Sequence, residues 1–192
     1  MKKYLSELVT ALKLDFKSLV QILSVIVCVL PFVKLNDVTT RRPLSAAEIE
    51  DELKNDYIIP DVIFAVPKHR MEVQFENEGI TYDVEYGTKL TPKQTRHTPK
   101  VTWPAEKKHL YTLMCLCPDV PSREDPLLKH WVHWLVVNIH GNNVSSGEHI
   151  NPYHGPGPNE QSGQHRYVFL SYQQDPHTEI HLNRSDYSVD MW

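Results

Sequence analysis

Cys117-Pro-Asp-Val-Pro-Ser-Arg123 closes an apolar run that begins at Leu110, and Trp131-Val-His133-Trp-Leu-Val-Val-Asn-Ile139 follows it. A second pair of segments lies downstream: Gly155-Pro-Gly-Pro158, then Gly163-Gln-His165-Arg-Tyr167-Val-Phe-Leu170. Each pair sets rigid Pro/Gly turns beside a strand-forming segment with one histidine among apolar residues. Tyr167 lies two residues beyond His165, so the two share a strand face. His133 alternates with Leu135, Val137 and Ile139, which puts it on their face by parity. Two histidines, a tyrosine, an aspartate and glycine backbone then meet at one pocket mouth. Such a pocket suits a small anion such as a phosphate group.

Working outward, the chain reads as a series of short strands. Leu110 to Cys117, Val132 to Ile139 and His165 to Gln173 are rich in strand formers. Met71 to Phe75 and Ile80 to Tyr86 form a further pair, split by a turn at Asn77-Glu-Gly79. Ser45-Ala-Ala-Glu48 is a capping-box pattern and predicts a short helix to about Asn55. Little helix and many Pro/Gly turns indicate an all-β fold, an antiparallel sandwich or barrel with a few short helices. Length agrees, because 192 residues make one domain with a substantial core. The expected division is a targeting segment and linker over 1–43, the domain over 44–185 and a divergent tail over 186–192.

Composition excludes some functions. A net charge of −4 gives no electrostatic reason for nucleic-acid binding. Three cysteines make no disulfide framework. Cys115 and Cys117 share a strand face, and a bridge between them is strained by geometry. Both are expected reduced and buried. No nucleophile elbow or zinc-spaced motif is present, so neither a hydrolase nor a metal site is expected.

The ordered motifs P-D-V-P-S-R, W-V-H-W-L-V-V-N and G-Q-H-R-Y resemble the phosphatidylethanolamine-binding protein family. The similarity extends through Leu90-Thr-Pro-Lys-Gln94, Trp103 and Tyr111-Thr-Leu113. It implies antiparallel sheets with a ligand pocket at one edge and a protein without enzymatic activity or cofactor. The implied ligand is a phosphate compound, such as a phospholipid head group. The alternative it implies is an inhibitor of a kinase or protease acting through its surface. A monomer is expected.

The resemblance implies a ligand site made of Cys117, Asp119, Pro121, His133, Gly157, Pro158, His165 and Tyr167. Spacing alone makes His133 a core histidine, and the resemblance makes it a ligand residue. Asp119 has two open readings: ligand contact, or a cap holding Ser122 or Arg123. Cys117 stands where the family carries an aspartate, which removes one negative charge and leaves a weak donor. His130 and His154 read as surface residues. The resemblance also implies a further strand and helices beyond the region where the match fails, near Asn183-Arg-Ser185.

Leu19 to Val33 carries no charge and is short for a membrane span, which needs about 20 residues. It suits a signal-peptide core or signal anchor and predicts secretion or membrane association. A cytoplasmic protein with an extra helix is the alternative. If the chain is secreted, Asn143-Val-Ser145 and Asn183-Arg-Ser185 become glycosylation sequons.

Overall fold

The computed structural model of the protein describes residues 23–24, 44–175 and 180–181. Two antiparallel sheets and a few short helices make up the fold, as the alternating segments predict. The elements are β1 (Leu23–Ser24), α1 (Ala46–Asn55), α2 (Ile58–Asp61), β2 (Glu72–Asn77), β3 (Ile80–Val84), β4 (Lys100–Thr102) and β5 (Leu110–Cys117). They continue with β6 (Trp131–His140), a 3₁₀ turn at Val144–Ser146, β7 (Glu148–Asn151) and β8 (Val168–Gln173). The larger sheet runs β1-β8-β5-β6-β7 and the smaller β3-β2-β4. Most of the stretch expected as a targeting segment lies outside the described residues. Its Leu23 and Ser24 pair with Tyr172 and Ser171 of β8.

Alternation along β5 sorts the core into two layers. Tyr111, Leu113, Cys115 and Cys117 face the small sheet and pack with Phe75, Trp103, Trp134 and Phe169. Met114 and Leu116 face the other way, against Leu53, Ile58 and Ile63 of the α1–α2 region. The predicted capping box starts α1: Ser45 Oγ accepts from the Glu48 N–H, and Glu48 Oε2 accepts from the Ser45 N–H at 2.8 Å. Cys115 and Cys117 are free and buried.

Two sequence expectations are corrected by the hydrogen bonding. β8 starts at Val168, three residues later than the β-formers suggest. The reason is Arg166, whose backbone N–H donates to the Asp119 carboxylate at 2.7 Å rather than to a neighbouring strand. His133 does not share the face of Leu135 and Val137. Along β5, Cys115 pairs with Trp134 and the next residue, Leu116, pairs with Val132. His133 is the extra residue of a bulge, which re-aims its side chain. Leu135 and Val137 face the helices, whereas His133 packs edge-on to Tyr167, with ring centroids 5.1 Å apart.

Candidate functional site

One cavity of about 160 Å³ opens where the 90–95, 153–158 and 163–167 segments meet at the sheet edge. Its wall includes His133, His165, Tyr167 and Pro158, four of the eight residues named from sequence. His165 stacks on Tyr167 with an 18° interplanar angle and a centroid distance of 6.4 Å. Both residues precede β8, and Tyr167, like Phe169, turns toward the small sheet.

The other four residues stand off the cavity wall. Gly157 is exposed, and a Cβ added to it meets nothing within 4 Å. The glycine that matters sterically is Gly155, whose added Cβ would lie 2.9 Å from the Thr95 carbonyl. This close approach brings the Pro156–Pro158 wall against the Thr91–Thr95 wall. Pro121 is exposed. Cys117 is fully buried behind the site, with Sγ 3.6 Å from His165 Nδ1. Burial pushes its thiol up to about 12, so it is neutral at ordinary pH.

Asp119 neither lines the cavity nor holds Ser122 or Arg123. Its carboxylate is 1% exposed and grips Arg166. Arg166 Nε lies 3.1 and 3.0 Å from the two carboxylate oxygens, and Nη2 lies 2.6 Å from Oδ1. The guanidinium also donates to Asp61 Oδ2 at 2.9 Å and to the carbonyls of Asp56 and Tyr57 at 2.8 and 3.1 Å. Lys129 pairs with the other Asp61 oxygen. Burial pulls the Asp61 carboxyl upward, but Lys129 and Arg166 outweigh it and hold it below its usual range. Arg166, read only as part of a motif, is therefore the structural pin of the site. It fixes the backbone between His165 and Tyr167, and it ties the Asp119 turn to the α1–α2 connection.

The histidines are held by specific partners. His133 Nδ1 lies 2.8 Å from the His154 carbonyl oxygen. The His154 N–H donates back to the His133 carbonyl at 2.8 Å. His154 is exposed, as the sequence suggests, yet its backbone orients His133 and it lines the cavity. His130 is half-buried rather than superficial, and its Nδ1 is buried without a partner. His165 Nε2 lies 2.9 Å from Ser162 Oγ. Burial lowers both His133 and His165 below the ordinary histidine value. Burial also raises Tyr167 and Tyr153. The Tyr153 hydroxyl donates to the Thr95 carbonyl at 2.8 Å, which closes the wall opposite Tyr167.

Among the described residues no lysine, arginine or carboxylate lines the cavity. No cluster of three or more metal-ligating side chains occurs among the described residues. The chemistry on offer is hydrogen bonding from neutral histidine and tyrosine over an apolar floor of Phe75, Leu90 and Phe169. Among the described residues no nucleophile paired with a positioned base lines the cavity.

Two antiparallel sheets with a histidine- and tyrosine-lined pocket at one edge define the fold and the site. The sequence profile described as "PBP: Phosphatidylethanolamine-binding protein" matches residues 72–190. The chain belongs to that family. A putative odorant-binding protein A5 of Drosophila melanogaster is 37% identical over 122 residues, 64% of this chain and 57% of that protein. The match thus spans less than two thirds of that relative. The solution structure of CG7054 is 39% identical over 65% of this chain and 70% of that one, with a TM-score of 0.51. A phosphatidylethanolamine-binding protein from Plasmodium vivax is 26% identical over 63% and 68%, with a TM-score of 0.52. Carboxypeptidase Y inhibitor, solved in complex with its cognate proteinase, shares the fold at a TM-score of 0.62 and 24% identity. It covers 69% of this chain and 74% of the inhibitor.

Proposed function

We propose that the protein is a non-enzymatic binding protein that holds a phosphate-bearing ligand, of the kind carried by a phospholipid head group, in the edge pocket. The observation that carries this reading is the convergence of His133, His165 and Tyr167 on one cavity. Family membership supports it. The cavity's small volume suits one phosphate group and not a drug-sized ligand, whose pockets run from about 300 Å³ upward. Cys117 supports it as well, since a neutral thiol behind His165 spares an incoming anion the repulsion of a carboxylate. Inhibition of a kinase or protease through surface contacts is the competing reading. The shared fold with carboxypeptidase Y inhibitor suits it, but among the described residues no surface singles it out.

Secretion is the localisation we favour. It rests on the uncharged Leu19 to Val33 stretch and on similarity to a protein named for odorant binding. Among the described residues no helix is long and apolar enough to cross a membrane. Native mass spectrometry of protein purified from a secretory host tests the ligand reading. Co-purified phosphate-containing small molecules are the expected result, and protein that emerges empty and binds no phosphate compound on titration would refute it.

A further inference from the structure

Four large apolar side chains are exposed among the described residues, and three of them, Tyr57, Phe64 and Leu127, belong to one region. Tyr57 and Phe64 flank α2, while Ile58 and Ile63 just inside them are buried in the core behind it. Core packing accounts for the isoleucines but not for the two rings, which are 65% and 74% exposed. Leu127, 59% exposed, lies in the 123–129 loop, which is tied to the same element. Arg123 Nη2 donates to the Asp56 carbonyl at 3.3 Å, and Lys129 Nζ pairs with Asp61. The loop thus runs alongside α2 with Leu127 between its two anchor points. No residue of α1, α2 or this loop lines the cavity, so the face is separate from the pocket.

The face is held rigid. Tyr57 sits in the left-handed region at φ 57°, a costly position for a residue with a side chain. Arg166 holds it there by donating to the Asp56 and Tyr57 carbonyls at 2.8 and 3.1 Å. A ring presented from a fixed backbone loses less freedom on binding than one on a loose loop, which favours it as an interface anchor.

The surround is acidic. Segments 45–64 and 122–130 carry eight carboxylates against Lys54, Arg123 and Lys129, a net of −5 in a chain of net −4. Those three cations are engaged: Lys54 pairs with Glu50, Lys129 with Asp61, and Arg123 with the Asp56 carbonyl. Asp51, Glu52, Glu124 and Asp125 are exposed and make no ion pair among the described residues.

We propose that the α1–α2 face docks a basic segment of a protein partner. Apolar side chains of that segment cover Tyr57, Phe64 and Leu127, and its lysines or arginines meet the carboxylates around them. The same charge repels an anionic membrane surface. The inference is independent of the phosphate reading, because it uses none of the cavity's residues.

An NMR titration of the isotopically labelled full chain with an amphipathic Lys/Leu peptide, and with a Glu/Leu peptide of the same pattern, tests it. The Lys/Leu peptide should bind saturably, with shift changes confined to residues 51–64 and 122–130, and the Glu/Leu peptide should not bind. Phe64→Ser and Leu127→Ser, both at exposed positions outside the core, should each weaken binding about fivefold or more. The double variant Glu124→Lys, Asp125→Lys should weaken it similarly and flatten its dependence on salt. Failure of the Lys/Leu peptide to bind, equal binding of the two peptides, shifts centred on the cavity, or an affinity unmoved by these variants overturns the inference. So do phosphatidylserine vesicles that bind at this face, or shifts there that change on dilution, which assign it to a membrane or to a second copy of the chain.

Discussion

Removing the Asp119 carboxylate should be the most damaging single change near the pocket. Asp119→Ala takes away the acceptor for Arg166 Nε, Nη2 and its backbone N–H. The arginine side chain is 4% exposed and cannot turn to water. Breaking a buried ion pair by deleting one partner costs roughly 3–5 kcal/mol, because an uncompensated charge stays behind. Asp61 remains within 2.9 Å of Nη2 and offsets part of that. We expect the lower end, about 3 kcal/mol, read as a lowered urea midpoint at unchanged slope. Arg166→Met removes the other partner, so the double variant should lose clearly less than the sum of the two singles. A loss under about 1 kcal/mol for Asp119→Ala, or strict additivity with Arg166→Met, would refute the pinning role assigned to this pair.

Other outcomes follow from the same geometry. Cys117→Asp places a carboxylate against His165 Nδ1. It should raise the His165 pKa, followed by NMR titration, and an unmoved or lowered value contradicts the assigned contact. Stability should fall as pH drops from 7 to 5. Burial holds His130, His133 and His165 below the unfolded histidine value near pH 6.5, so the unfolded chain takes up protons first. Their contribution is complete above about pH 6.5 and is lost as pH falls through the depressed folded values. Asp61 adds a loss of the same sign below about pH 4, and a urea midpoint that rises on acidification would contradict both. Asn143 and Ser145 are exposed, so expression in a secretory cell should give a glycosidase-sensitive mass increase that Asn143→Gln reduces. Unmodified protein confined to the cytosol would contradict secretion.

The local signals in the chain were readable because one short window decides each. Ser45 and Glu48 define the start of α1, and eight consecutive residues from Leu110 define β5. The two-residue spacing of His165 and Tyr167 anticipates that both reach one cavity, although both precede β8. What escaped the sequence depends on pairings across the fold. The bulge at His133 appears only when Cys115 and Leu116 find their partners on β6, and no residue in that window marks it. Asp119 stays open between ligand contact and turn cap in the sequence because its partner, Arg166, lies 47 residues away. Tyr153 and the Thr91–Thr95 wall were missed because Gly155 brings those two segments together by backbone contact, which leaves no periodic trace.

The central claim is that this pocket binds a phosphate ligand through His133. Calorimetric titration of phosphoethanolamine into wild type and His133→Ala at pH 6.5 tests it most directly, with circular dichroism confirming that both are folded. The account predicts one-to-one binding by wild type and a loss of about tenfold or more in the variant. Equal affinity for the two proteins, or no binding by wild type, would contradict it.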